Sequence, residues 1–135
     1  MLRLDDVHTY YGDSYILQGI SLEVPDRSVV AVLGRNGVGK TTMIRSIVGF
    51  SPPRRGRIVL ADRDITHLPA HRIAALGIGL VPQGRRVFGS LSVHENLTVA
   101  EQRRSGGAPW TTAGVFRVFP QLRERLISKG RNLSG

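Results

Sequence analysis

The chain has no cysteine, which excludes a disulfide framework and any thiolate metal site. Its four histidines are scattered without the spacing of metal ligands. Long hydrophobic runs are missing as well: nothing approaches the roughly 18–20 apolar residues of a membrane-spanning helix. The opening Met1-Leu2-Arg3-Leu4-Asp5-Asp6 has none of the apolar stretch of a signal peptide, and a cytosolic chain is expected. Lysine is scarce, since 17 of the 19 basic residues are arginine and the net charge is +9. The excess is uneven: residues 84–135 hold nine basic and three acidic residues. Such a surface suits nucleic acid or anionic lipid, or is a solvated arginine-rich helical face beside a site for an anionic ligand. The last reading is adopted. Aromatics are few in that region (Phe88, Trp110, Phe116 and Phe119), and none alternates with a basic run as a base-stacking surface would require.

What is present is a phosphate-binding loop. Gly34-Arg35-Asn36-Gly37-Val38-Gly39-Lys40-Thr41 matches G-x-x-x-x-G-K-[ST] at every required position. The flanks suit the motif. Ser28-Val29-Val30-Ala31-Val32-Leu33 reads as a buried parallel strand. Met43, Ile44, Ile47 and Val48 then recur at helical spacing, with Arg45 and Ser46 on the other side. Glycines let the backbone approach a polyphosphate closely, consecutive N–H groups form an anion-sized concavity, and the helix N-terminus adds its dipole. Lys40 is expected to reach the β- and γ-phosphates, Thr41 to offer its hydroxyl to Mg²⁺, and Thr42 to hold the α-phosphate end.

The rest of the pattern implies a single α/β unit of feasible core size. Ile20, Leu22 and Val24 alternate with polar residues as a half-exposed strand, and Ile58-Val59-Leu60 restarts a strand after Ser-Pro-Pro-Arg-Arg-Gly. Pro69 opens a short helix through Leu76, with Gly77 as its stop. Ile78-Gly79-Leu80-Val81 reads as a short buried strand ended by Pro82. Ser92-Val93-His94-Glu95 is a capping box that marks a helix start near Val93. Ser105-Gly106-Gly107-Ala108-Pro109 breaks that helix. Val115, Val118, Phe119, Leu122 and Leu126 form a further helical stripe of core character, despite Pro120. The division expected is a nucleotide-binding core with a β-subdomain over 1–83 and a mostly helical subdomain over 84–135.

In order and spacing these features resemble the ATP-binding subunit of an ABC transporter over essentially the whole chain. Tyr11-Gly12 sits where that family places an aromatic residue against adenine; neighbouring Tyr10 is the expected core residue. Gln83, following a strand and Pro82, sits at the Q-loop glutamine, which bonds Mg²⁺ or the attacking water. Leu133-Ser134-Gly135 looks like the opening of the LSGGQ signature, whose serine faces the γ-phosphate held by the opposite subunit. The resemblance thus implies a P-loop NTPase (a RecA-like core with an antiparallel β-subdomain plus the start of a helical subdomain), incomplete as a domain. ATP contacts fall on Tyr11, Gly34, Arg35, Asn36, Gly37, Val38, Gly39, Lys40, Thr41, Thr42 and Gln83, and metal contacts on Thr41 and Gln83.

Tyr10-Tyr11-Gly12, Asp64-Ile65-Thr66, Val81-Pro82-Gln83-Gly84-Arg85-Arg86-Val87-Phe88 and Ser92-Val93-His94-Glu95-Asn96-Leu97 are similar to subunits of branched-chain amino acid importers; urea and short-chain amide importers share them. The resemblance implies a second ATPase subunit, transmembrane permease subunits, indirectly an extracytoplasmic solute-binding protein, and a place on the inner face of the membrane. No nucleic-acid partner is implied. Only 49 residues separate Gln83 from Leu133, too few for the coiled-coil insertion of the DNA-repair members. No apolar run followed by Asp-Glu occurs in these residues, so the family's Mg²⁺-organising aspartate, its catalytic glutamate and its switch histidine have no counterpart and no catalytic residue is assigned. The intact parent is expected to hydrolyse ATP, and this chain alone to bind without turnover or to be a fragment that merely associates. The missing strands are expected to leave apolar sheet surface uncovered.

Overall fold

A computed structural model describes residues 1–84, 86–101 and 110–133. They fall into two compact units, Met1–Leu80 and Val81–Gly135.

The first unit is built on a four-stranded antiparallel sheet with strand order β2-β1-β3-β4: β1 is Leu2–Tyr11, β2 Ser14–Val24, β3 Arg55–Leu60 and β4 Arg63–Asp64. The β1–β2 hairpin pairs Leu2 with Val24 at one end and Tyr11 with Ser14 at the turn. Between Leu4 and Val7 the register slips, and Asp6 there has φ 45°. The bulge re-aims the strand, so Leu4, Val7 and Thr9 all point inward despite a broken period of two. On that face lie Leu17, Ile58, Ile65, Ile73 and the inner side of helix α1, Lys40–Ile47. Helix α2, Ala70–Ala75, runs from Pro69 to a stop at Leu76 and Gly77, as expected. Thr66 closes the β3–β4 corner: its hydroxyl donates to Asp64, and it accepts from the Ile58 N–H at 2.9 Å. Those hydrogen bonds, first the hydroxyl and then the Thr66 N–H, hold the Asp64 carboxyl below its ordinary pKa.

Two expected strands are absent. Residues 28–33 and 78–81 form no strand, and Val29 is 98% exposed, Leu33 89% and Val81 94%. A continuous apolar run is stable as a parallel strand only with neighbours on its edges and layers on both faces. Among the described residues every strand pairing is antiparallel and none reaches these segments. Apolar sheet surface was expected to lie uncovered; what is exposed instead is apolar chain outside any strand.

Helix α1 also corrects the reading. Met43, Ile47 and Val48 are buried, but Ile44 is 40% exposed. Ser46 turns inward instead: the Thr9 hydroxyl lies 2.9 Å from the Ser46 Oγ, and Ser46 donates to the Thr42 carbonyl at 3.0 Å.

In the second unit the regular elements are helical: α3 Val93–Ala100, α4 Thr112–Val118, α5 Gln121–Glu124 and a 3₁₀ turn at Gly130–Asn132. The capping box forms as expected. The Glu95 N–H donates to the Ser92 Oγ at 3.2 Å, and the Ser92 N–H donates to the Glu95 carboxylate at 2.7 Å. The continuous stripe from Val115 to Leu126 does not form. Proline lacks an N–H and disfavours helical geometry in the residue before it; Phe119 accordingly sits at φ −128°, ψ 72°, splitting the stripe into α4 and α5. Val118 and Phe119 are exposed, and Val115, Leu122 and Leu126 are half-buried. The 105–109 break lies outside the described residues.

Candidate functional site

The loop 34–39 enters α1 through Gly39, whose φ of 96° is left-handed, and Gly37 upstream has φ 86°. A side chain on Gly39 would bring its Cβ within 2.8 Å of the Leu17 side chain, whereas one on Gly37 would meet open space. The first glycine is therefore needed for packing and backbone together, the second for backbone alone. No side chain caps α1. Among the described residues the N–H groups of 35–39 donate to no other main-chain group. A helix start with free donors and no cap is what an anion replaces.

Lys40 is held across this loop. Its Nζ donates to the Gly34 and Arg35 carbonyls, each at 2.6 Å. The ammonium is thus fixed at the loop by two carbonyls. Thr41 is exposed at the first turn, free to meet a ligand, and Thr42 is buried. Gly34, Arg35, Asn36 and Val38 are exposed. Unpaired loop N–H groups, a counter-charge and a hydroxyl therefore follow one another at this helix start, and the residues present fit a polyphosphate with its cation.

Tyr11 lies at the end of β1, 42% exposed. Its hydroxyl accepts from Ser51 at 3.4 Å, just beyond α1. That bond is the main cause of a lowered phenol pKa; Thr42 and Arg45 act in the same direction against partial desolvation. Tyr11 is therefore tied to the helix that the phosphate loop starts. Tyr10 is not a core residue: alternation turns it to the opposite face, where its ring stacks on Tyr15 at 4.4 Å. The Arg54 guanidinium lies 4.6 Å over the Tyr10 ring and donates to the Gly12 carbonyl at 2.7 Å. Arg54 and Ser51 were missed as supports of the Tyr11-Gly12 corner. Their only sequence signal is their place in the Ser-Pro-Pro-Arg-Arg-Gly segment that returns the chain from α1 to the sheet.

Gln83 belongs to the second unit, exposed in a turn with Gly84 at φ 89°. Leu133 is half-buried just after the 3₁₀ turn, and Ser134 and Gly135 lie outside the described residues. A seam of main-chain bonds ties the segment after Gln83 to the one before Leu133: Gly130 N–H donates to Leu91 at 2.8 Å, Arg131 to Gly89 at 3.1 Å and Val93 to Ser128 at 3.0 Å. Gly130 is required there, because a Cβ would sit 2.8 Å from the Phe88 carbonyl. Asn96 secures the near side, accepting from the Phe88 N–H at 2.9 Å and donating to the Phe88, Leu91 and Ser92 carbonyls.

A glycine loop opening a helix beside an antiparallel subdomain defines a P-loop NTPase of the ATP-binding cassette type. The ABC transporter family model matches residues 17–135, and the chain belongs to that family. It is 34% identical over its full length to the high-affinity branched-chain amino acid transport ATP-binding protein BraG of Pseudomonas aeruginosa, and equally to the probable LivF of Archaeoglobus fulgidus. It spans 58% of each. Over 94 residues, 70% of the chain and 39% of the relative, it is 40% identical to the lipopolysaccharide export ATP-binding protein LptB of Escherichia coli K12. A nucleotide-free ATP-binding cassette from an ABC transporter superposes with TM-score 0.73 at 26% identity, covering 99% of this chain and 59% of that one. A bacterial Atm1-family ABC exporter with ATP bound superposes at 0.74 and 29%, covering 99% and 25%.

Proposed function

We propose that this chain binds ATP with Mg²⁺ as the N-terminal part of an ABC transporter ATPase whose complete form drives import of branched-chain amino acids. The observation that carries the nucleotide reading is Lys40 bridging the Gly34 and Arg35 carbonyls over a loop whose N–H groups are free. In this reading Lys40 transfers its ammonium from those carbonyls to the β- and γ-phosphates, and Thr41 ligates Mg²⁺. Tyr11 lies against the adenine, and Gln83 reaches the metal or the attacking water. Leu133, Ser134 and Gly135 serve a nucleotide held by a second ATPase subunit. Permease subunits hold the pair at the inner face of the membrane. Phosphoryl transfer rests on positioning and charge neutralisation, to which Lys40 and Thr41 contribute in this reading, and hydrolysis is assigned to the complete form. Amino acid import is preferred over export because identity to the branched-chain relatives extends over the whole chain, and to LptB over 70% of it.

Calorimetric titration of MgATP into the chain and into Lys40→Ala tests the assignment. Binding by the parent chain and its loss in the variant, with an unchanged circular dichroism spectrum, is expected. Equal affinity in both would overturn it.

A further inference from the structure

We propose that the second unit carries a contact surface for anionic phospholipid, built from residues 117–131. Arg117, Arg123, Arg125, Lys129 and Arg131 are all exposed there, and Glu124 is the one acidic residue in the stretch. The ion pairs among the described residues all lie in the first unit; Lys129 acts on the Glu95 carboxylate from a distance, and the stretch keeps an excess of positive charge. Between them stand exposed apolar side chains, Val118, Phe119 and Ile127, the last 90% exposed.

The backbone holds this set in place. Leu122 N–H donates to Phe119 at 3.1 Å, Arg125 to Leu122 at 3.2 Å and Ser128 to Arg125 at 2.9 Å, winding 119–128 into three successive tight turns. His94 N–H donates to Leu126 and Val93 N–H to Ser128, which fastens the last turn to α3. Leu122 and Leu126 are half-buried while Arg123, Arg125 and Ile127 are exposed. The turn is therefore locally amphipathic, with cations and an aliphatic side chain presented together on a fixed backbone.

Guanidinium groups bond phosphate oxygens in forked pairs, which any polyanion would satisfy. The aliphatic component selects among polyanions. Phe119 is the one ring of the set on which a base could stack, and Ile127 and Val118 offer no such plane, whereas exposed apolar groups beside a polybasic stretch enter the headgroup–acyl boundary of a membrane. An anionic lipid surface satisfies both features. The inference is independent of nucleotide binding at the phosphate loop.

Cosedimentation of the 135-residue chain with phosphatidylcholine vesicles, with and without phosphatidylglycerol, tests it. Binding is expected only with phosphatidylglycerol and should weaken as salt rises. Arg123→Gln with Arg125→Gln should lower partitioning about 25-fold, at about fivefold per charge near the surface. Ile127→Ser should also lower it, at unchanged net charge. Both changes are at exposed positions, and circular dichroism checks that each variant folds; either one suffices as the test. Equal binding to neutral vesicles, wild-type binding by a folded variant, or release by inorganic phosphate at matched ionic strength would overturn the proposal. So would tighter binding to a single-stranded oligonucleotide that ignores Ile127→Ser, which would assign the surface to nucleic acid.

Discussion

Thr9 and Ser46 show how much a single pair of hydroxyls contributes beneath the site. Ser46 commits its proton to the Thr42 carbonyl, so the Thr9 hydroxyl must be the donor to the Ser46 Oγ. Both residues are buried, Thr9 completely. Ser46→Ala would leave the Thr9 hydroxyl without its acceptor, at a cost of about 1–3 kcal/mol. Denaturant unfolding should show that loss with an unchanged slope, and a variant within error of the parent would refute the donor assignment. Thr9→Val together with Ser46→Ala should restore part of it, since no orphan then remains. This pair was illegible beforehand because serine in a helix ordinarily faces water, and its partner is 37 positions away in sequence. The place of Lys40 against its own loop was legible for the opposite reason, since the two carbonyls that hold it belong to the same contiguous octet.

Among the elements, local chemistry translated directly where it was self-contained. The capping box at Ser92 and Glu95 needs only four residues, and both of its hydrogen bonds are present. Ser92→Ala should cost about 1 kcal/mol of stability. The Ser92 N–H, and then its hydroxyl, hold the Glu95 carboxyl below its ordinary pKa. A depressed folded-state value contributes stability above the unfolded carboxylate value of about 4.3, and that contribution is lost as pH falls through the folded value. Protection factors of the α3 amides, after correction for the pH dependence of intrinsic exchange, should therefore fall on acidification through this window, and Glu95→Gln should remove that response. Exchange in α3 with the same pH profile in both proteins would show that the carboxylate contributes nothing. Elements whose pattern is interrupted were harder to read. The bulge at Asp6 shifts β1 out of phase, so Leu4 and Val7 stand three apart rather than two, and no strand is visible from alternation. Pro120 interrupts a stripe that looks helical by spacing alone. Residues 28–33 fail for a reason outside themselves: a buried strand is a property of its neighbours as much as of its own side chains.

At the scale of the molecule, those uncovered residues and the surplus charge act in opposite directions. Burying Val29 and Leu33 would contribute about 1.5–3 kcal/mol each, and extended main chain left unpaired can add strand pairing. Association costs at least about 4 kcal/mol in lost freedom of motion, so two such side chains per copy support weak self-association rather than a tight complex. The net charge of +9 opposes it by repulsion, which salt screens over about 8 Å at physiological ionic strength. Sedimentation velocity should show a weight-average mass that rises with concentration and rises further with added salt. Val29→Lys with Leu33→Lys should return it toward the monomer by removing apolar surface and adding repulsion. A mass independent of concentration and salt would mean that residues 28–33 make no intermolecular contact. Salt separates this association from lipid binding by the second unit, because the same screening that brings copies together releases arginines from an anionic surface. A chain that self-associates more and sediments less with vesicles as salt rises is using two different faces; parallel trends would tie both behaviours to one.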